Sequence, residues 1–407
     1  MNYTELLTKL GITSFPPIGE EVFSSAMAEY DADGCRWVSE GFLREMDSAY
    51  GLFRNHRDFI YRTAADIRGN ELLSRFTTLL AAALKQDKTA FRSDSTWTLP
   101  VPADGEAPEP SEMTGYFALL AQMPAAADTM KRWGLPADVM CDTLAAITGC
   151  ISIFMGYEHR PGYNAGRVRW AIHYMEPEIL RIGRLEFQFM PFRGMAYLFR
   201  NASGENRILM ASGRFHRSGV LLDSPGYTDT EGAFDADFVE TDTYWEGHFP
   251  RPDGKASAER IRLAKSEWKL LLSPGDPVLS VHIPGMIPLL HEQVEDAYRR
   301  ARELTARCRP DFDTHAMVCF SWLMDPTLQT MLREDANIAK FQRDFMAIPS
   351  PAGGKAVYSF LFHMPDAKPE DLPADTSLRR RVKELILSGG NILEIGGIVK
   401  PEISGIL

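Results

Sequence analysis

The chain is poor in cysteine: Cys35, Cys141, Cys150, Cys308 and Cys319 are the only five in 407 residues. They are odd in number and widely spaced, with no CxxC or CxxxC pair. That excludes a zinc finger and a disulfide framework. GxGxxG, GxxxxGK[ST], HExxH and GxSxG are all missing. Ordinary dinucleotide folds, P-loop NTPases, zincins and serine esterases therefore have no support. Cations are the minority, 44 Lys+Arg against 55 Asp+Glu, for a net charge of −11. The chain thus has no excess of positive charge with which to hold nucleic acid or an anionic membrane, and neither is an expected partner. The longest apolar run, residues 144–157, is interrupted by Thr148, Gly149 and Ser152. It is too short for a bilayer core of about 30 Å. Glu5 and Lys9 break up the N-terminal segment, which does not read as a signal peptide, and the expected location is the cytoplasm.

What is present is a soluble globular composition, 45% hydrophobic and 24% charged, long enough for two to three domains. Helical spacing of apolar residues runs through the first ~155 residues, over 40–53, 59–84, 113–122, 124–133 and 137–157. A Pro-, Asp- and Ser-rich stretch, 94–110, reads as a loop. The composition changes at residues 156–162, so the boundary is placed between 160 and 161. One more helix is expected over 168–182, kinked at Pro177. Strands follow over 184–192, 194–201 and 205–212, then a loop over 223–237 and a short helix over 266–272. In the last third, strand 277–283, helix 289–308, strand 314–323, a helix opened by Asp325-Pro326, strand 355–363, helix 378–387 and strand 392–399 alternate. The fold class is α+β or α/β: an all-helical domain, residues 1–160, then a mixed sheet flanked by helices, residues 161–407.

Chemistry concentrates between residues 278 and 301. A loop that opens a helix offers unpaired N–H groups to an anion, although Pro284 and Pro288 remove two donors. Side chains alternate along a strand, so Val278, Ser280 and His282 share one face. If strand 314–323 is a neighbour, His282, Cys319 and Ser321 meet in one cleft. There the imidazole serves as a base, or else as a buried group bonded to the backbone. Cys319 reads as a small core residue. Glu246 and His248 form a polar pair among aromatics, lining a pocket or an edge strand. Arg379, Arg380, Arg381 and Lys383 read as a solvated helix face. His291 and Glu295 lack a third ligand, so no metal site is expected.

Five stretches, in one order, carry a resemblance: Arg181-Ile-Gly-Arg-Leu-Glu-Phe-Gln188, Ser273-Pro-Gly-Asp-Pro-Val-Leu-Ser-Val-His-Ile-Pro-Gly285, Phe320-Ser-Trp-Leu-Met-Asp-Pro-Thr-Leu328, residues 337–345 and residues 371–379. Together they resemble a bacterial family of predicted acyltransferases. Its members join a helical N-acyltransferase-type N-terminal domain to a GNAT-like C-terminal domain. The resemblance implies an acyl-CoA co-substrate held in a wedge between two splayed parallel strands, which look like 278–283 and 316–323. The loop and helix after the first strand would hold the pyrophosphate. It implies ligand contacts at Val281, Ile283, Gly285, Met286, Ile287 and Leu289. Trp322 and Asn337 are added from the later motifs. The loop departs from the usual Arg/Gln-x-x-Gly-x-Gly/Ala pattern, having one glycine and two prolines.

The expected reaction is transfer of an acyl group from a thioester to an amine-bearing small molecule. Proximity, N–H groups on the carbonyl and a base suffice for it. His282 is the expected base, with Glu246 second. Ser321 or Tyr298 is expected to return a proton to the leaving thiolate. The alternative is a GNAT-like protein that binds a ligand or partner without turnover.

Overall fold

The computed structural model describes residues 1–92, 97–285, 287–351 and 353–406. The chain divides into two compact units, residues 1–181 and 182–407. The composition change at 156–162 lies earlier, inside the first unit.

The first unit is helical: α1 (Tyr3–Lys9), α2 (Glu20–Asp33), α3 (Glu40–Tyr50), α4 (Arg57–Gly69), α5 (Glu71–Gln86), α6 (Glu109–Leu120), α7 (Met123–Arg132), α8 (Ala137–Glu158) and α9 (Ala165–Met175). The apolar pattern expected to run through 59–84 breaks at Asn70. Its side chain accepts the Leu73 N–H at 3.1 Å and starts a new helix. α5 and α6 pack on each other, burying Phe76, Leu80, Tyr116 and Phe117. Arg160 grips Glu112 through two 2.6 Å bonds, joining the segment after α8 to the start of α6. α8 is long and apolar enough to cross a membrane by length and composition, and 56% of its most apolar window is buried. Residues 94–96 of the expected loop lie outside the described residues. The helix expected over 168–182 ends at Met175, before Pro177. Beyond it comes a strand, because proline breaks the helical ladder and Ile179, Leu180 and Ile182 find a sheet.

The strands are β1 (Ile179–Ile182), which spans the boundary, β2 (Leu185–Pro191), β3 (Ala196–Asn201), β4 (Asn206–Met210), β5 (Ser212–Phe215), β6 (Phe234–Glu240), β7 (Tyr244–Pro250), β8 (Ala256–Ala264), β9 (Trp268–Leu272), β10 (Pro277–His282), β11 (Ala316–Ser321), β12 (Phe345–Ile348) and β13 (Ile395–Val399). The central sheet runs β1-β2-β10-β11-β13-β12. Separate sheets run β4-β3-β9 and β5-β6-β7-β8. Within the central sheet β10 and β11 are parallel, while β2–β10, β11–β13 and β12–β13 are antiparallel, so the sheet is mixed.

One face of the central sheet, carrying Val278, Ala316, Val318 and Ile398, packs on Ala196, Leu198, Ile208 and Leu272 of the β4-β3-β9 sheet. The other face meets α10 (His291–Cys308), which buries Val294, Ala297, Tyr298 and Ala301. α11 (Asn337–Arg343), α12 (Ser377–Leu387) and α13 (Pro401–Ser404) complete the unit.

Two further expectations fail. Residues 266–272 contain β9, paired with β3, rather than a helix. Its leucines are drawn into a ladder that short-range spacing does not reveal. Residues 355–363 include a π-helical turn, Tyr358–Phe362, not a strand. There Val357 and Phe362 are buried with Trp322, Leu328 and Val382 in a cluster of their own. Tertiary packing overrides the β-preference of the aromatic run.

Candidate functional site

β10 and β11 begin as partners, Val278↔Ala316 to Ser280↔Val318, and the pairing then stops. Both strands nevertheless continue, to His282 and Ser321. On its other side β10 stays paired to β2 through His282↔Glu186. Two parallel strands thus part at their C-terminal ends while each stays paired to its other neighbour, β10 to β2 and β11 to β13. Backbone groups on the β11 side of Val281 and His282 are left without that ladder, in the region where ligands of open sheets bind.

Register decides which side chains face together. Residues opposite one another in a sheet point to the same side. Val278, Ser280 and His282 therefore share a face with Glu186 and Gln188, and with Val318 and Phe320 of β11. Cys319 and Ser321 point to the other face, toward α10. The cleft expected to unite His282, Cys319 and Ser321 is divided by the sheet.

His282 is half-buried, and its Nε2 lies 3.0 Å from Gln188 Oε1. An amide oxygen accepts, so Nε2 carries the proton and Nδ1 is the acceptor nitrogen of the neutral ring. Glu186, opposite His282, is a carboxylate with only 5% exposure.

Arg184, just before β2, is equally buried. Its guanidinium donates to Pro288 O at 2.8 Å and Ile287 O at 2.6 Å. The loop after β10 is thereby tied down by two charge-assisted bonds. In a trans peptide the C=O and the following N–H point opposite ways. Drawing Pro288 C=O toward Arg184 turns the Leu289 N–H away from it. α10 starts with Leu290 as its N-cap and no side-chain cap, so its first N–H groups keep their anion-binding capacity. An acyl-CoA fits here on two observations: the strands part, and the loop is held with the Leu289 N–H turned away from its anchor.

The remaining expected residues fall in several places. Val281, Ile283, Gly285, Ile287 and Leu289 lie at the end of β10 and in its loop. Met286 lies outside the described residues. Trp322 is buried in the α12 cluster. Asn337 opens α11. Ser321 Oγ accepts the Leu323 N–H at 3.2 Å and caps a 3-10 turn, a structural duty.

Tyr298 has no exposed surface and lies under the opposite face, edge-on to Phe345. Burial, reinforced by Asp344 and Cys319, raises its phenol well above the usual range, which makes it a poor proton donor. Its hydroxyl finds no hydrogen-bond partner among the described residues. Tyr298→Phe should therefore leave transfer unchanged and raise stability by up to about 1 kcal/mol. That is about 2–4 °C in a melting curve for a unit of this size. A collapse in rate instead would make Tyr298 the proton donor.

Glu246 is on β7, in a different sheet from His282. It is clamped by Arg262 and Arg260, and the Arg262 hydrogen bond holds its carboxyl below the usual range. A paired carboxylate of that kind is a weak base. His248 is buried, with Nδ1 3.1 Å from Ser257 O. Cys319 is fully buried, and burial pushes its thiol up to about 12, which rules out a thiolate nucleophile near neutral pH. Arg379, Arg380 and Lys383 each donate to backbone carbonyls around α12, of Leu361, Ala374 and of Glu370 and Leu372 respectively. They staple loops around α12 instead of standing free in solvent.

His291, at the start of α10, has Nε2 3.0 Å from Asp344 Oδ1. Burial pushes the Asp344 carboxyl up, and the His291 bond pulls the other way. Glu295 lies 3.8 Å from the same ring. Among the described residues no group of three His, Cys, Asp or Glu could hold a metal. Sequence reading missed the work of Arg184 and Asp344. The alternate spacing of the polar residues 184, 186 and 188, from the turn into β2, was the available signal for the first. Nothing local pointed to the second.

Three solved structures resemble the chain along almost all of its length. An acyltransferase in complex with decanoyl-CoA and teicoplanin is 18% identical, with a TM-score of 0.59, covering 98% of this chain and 99% of its own. An acyltransferase in complex with decanoyl-CoA is 17% identical, with a TM-score of 0.56 and the same coverage. An acyltransferase mutant with octanoyl-CoA is 19% identical, with a TM-score of 0.52, over 98% of this chain and 93% of its own. At such identity the likeness speaks for the fold. No curated protein matches the chain. The family model of the GNAT-like C-terminal domain matches residues 179–399, the region that holds the parting strands, Arg184, Gln188 and His282. That is more than half of the 407 residues, and the chain belongs to the family of proteins carrying the GNAT-like C-terminal domain.

Proposed function

We propose that the protein moves an acyl group from an acyl-CoA thioester to an amine-bearing small molecule. The observation that carries this reading is the parting of β10 from β11 beyond Ser280↔Val318, with His282 at the open end. Family membership and the acyltransferase neighbours with acyl-CoA support it. Acyl-CoA, when bound, supplies a thioester carbon open to attack.

The protein's share is orientation and proton handling. The loop over 283–290, anchored by Arg184, and the first amides of α10 hold the pyrophosphate. Backbone groups of Val281 and His282 face the thioester carbonyl. His282, steadied by Gln188, takes the proton that the acceptor amine gives up. Histidine suits this task because it ordinarily exchanges a proton near neutral pH. Ile287 and Leu290 in the loop and Phe320 on β11 are 49%, 46% and 38% exposed. They offer apolar surface, which favours longer acyl chains by about 0.8 kcal/mol per methylene buried.

The test is calorimetric titration with acetyl-CoA and decanoyl-CoA, followed by a thiol-release assay with amines. Tighter binding of decanoyl-CoA and amine-dependent release of CoA are expected. Binding without release would leave a ligand-binding protein, and no binding of either would overturn both readings.

A further inference from the structure

Three residues lie in one row across the central sheet. Phe320 of β11 is opposite Gly396 of β13, and Gly396 is opposite Ile348 of β12. Opposed residues point to one side of a sheet, and here it is the side of His282. The middle place of the row holds no side chain. The Phe320 ring and Ile348 fill it from either end: a Cβ at residue 396 would lie 2.7 Å from Phe320 Cε1 and 2.7 Å from Ile348 Cγ1. Carbon atoms in contact stand about 3.5–4.0 Å apart. The ring therefore lies over the bare backbone of Gly396.

Phe320 has β13 on one side and the gap toward β10 on the other. Its ring leans to the β13 side, which keeps it out of the gap on the His282 face. It is still 38% exposed, so part of its apolar surface is uncovered.

The route of an acyl-CoA gives this placement a consequence. The proposed pyrophosphate site is the loop after β10 and the start of α10, and α10 packs on the face opposite His282. The arm that carries the thioester joins the two faces through the gap. The acyl chain then emerges on the His282 face, beside Phe320.

We propose that Gly396 sets the range of acyl lengths the protein accepts, by letting the Phe320 ring lie over β13 and out of the chain's path. The inference rests on the acyl-CoA reading. A side chain at residue 396 has to displace one of its two neighbours. Ile348 has no exposed surface and sits in the core between two sheets, where close packing yields little. Phe320 is the neighbour with open space beside it, and that space is the gap. A single methyl group at residue 396 turns the ring toward the acyl chain and shortens the room for it.

Calorimetric titration of the full chain with decanoyl-CoA and acetyl-CoA reads this. In the parent protein decanoyl-CoA should bind more tightly. Gly396→Ala should cut that preference about tenfold, as if roughly two methylenes had lost their contacts. In a Phe320→Ala background the same change should alter the preference by less than about twofold, because no ring is left to displace. Phe320→Trp should also cut the preference: the place over Gly396 is already full, so the added ring extends into the gap. Where Gly396→Ala does not fold, this variant decides alone. Gly397→Ala is the control. A Cβ there would meet Met324 Cε at 2.8 Å and Phe345 Cδ1 at 2.9 Å on the opposite face. It should lower the melting temperature and leave the preference within about twofold.

A preference unchanged in Gly396→Ala and Phe320→Trp, or cut by Gly396→Ala equally with and without Phe320, overturns the proposal. The ring over the glycine would then only stabilise the sheet. No binding of either acyl-CoA removes the acyl-CoA reading and the proposal with it. A preference that depends on Gly396, with no amine able to release CoA, leaves the proposal standing and overturns acyl transfer alone.

Discussion

Replacing His282 with alanine is expected to lower acyl transfer by about 10²–10⁴-fold, the usual worth of a positioned general base. Acyl-CoA affinity should hardly change, because in the proposed reaction the imidazole handles the acceptor's proton and not the pyrophosphate. The signature is in the pH profile. A base works only unprotonated, so in the parent protein kcat/KM must fall as pH falls and the imidazole takes up its proton. In His282→Ala that acid limb should vanish. Gln188→Leu removes the acceptor of the Nε2 proton, so the ring loses its fixed tautomer and the rate should drop about tenfold with the limb retained. Full activity in His282→Ala, or an acid limb that persists there, would remove His282 from the chemistry.

The second large effect is expected at Arg184. The side chain is buried and donates to two loop carbonyls. Arg184→Ala leaves both without their donor and frees the loop between β10 and α10. Two lost charge-assisted bonds amount to about 2–4 kcal/mol. Acyl-CoA affinity should fall by about tenfold to hundredfold, with kcat at saturating acyl-CoA less affected. Arg184→Lys should recover only part of this, because an ammonium lacks the planar fork that serves both carbonyls. Titration and thermal melting separate the possibilities. Stability lost with affinity unchanged would make Arg184 a structural anchor only.

Much of the site was readable along the chain. The run Pro277-Val-Leu-Ser-Val-His282 reads as a strand because its residues are β-formers after a Pro-Gly turn. α10 reads as a helix because its apolar residues recur every three to four positions. Their order, strand then loop then helix, is local information, and so are the unpaired N–H groups expected where α10 begins. The stretches of α3 to α8 in the first unit are legible for the same reason, whereas α1 and α2 carried no such pattern. His282 was also legible, since period-2 alternation assigns it a face of its own strand.

What no local pattern carries is partnership between distant segments. His282, Cys319 and Ser321 seemed to share a cleft until the register Ser280↔Val318 put the latter two on the other side. A shift of one residue in a register reverses every side chain, and nothing inside either strand specifies it. Glu246 stood as the second candidate base until its strand joined another sheet and its carboxylate met Arg260 and Arg262. Residues 355–363 had the composition of a strand, but burial of Val357 and Phe362 with Trp322 made them helical.

The sequence by itself determined the two-part layout, the strand–loop–helix at the wedge and the family, because these rest on short-range periodicity and ordered motifs. Only the tertiary structure decided which groups meet: Gln188 with His282, and Arg184 with the loop after β10. Those contacts join residues up to about a hundred positions apart, and they are set by sheet register and packing, which act between segments and leave no periodic trace within them.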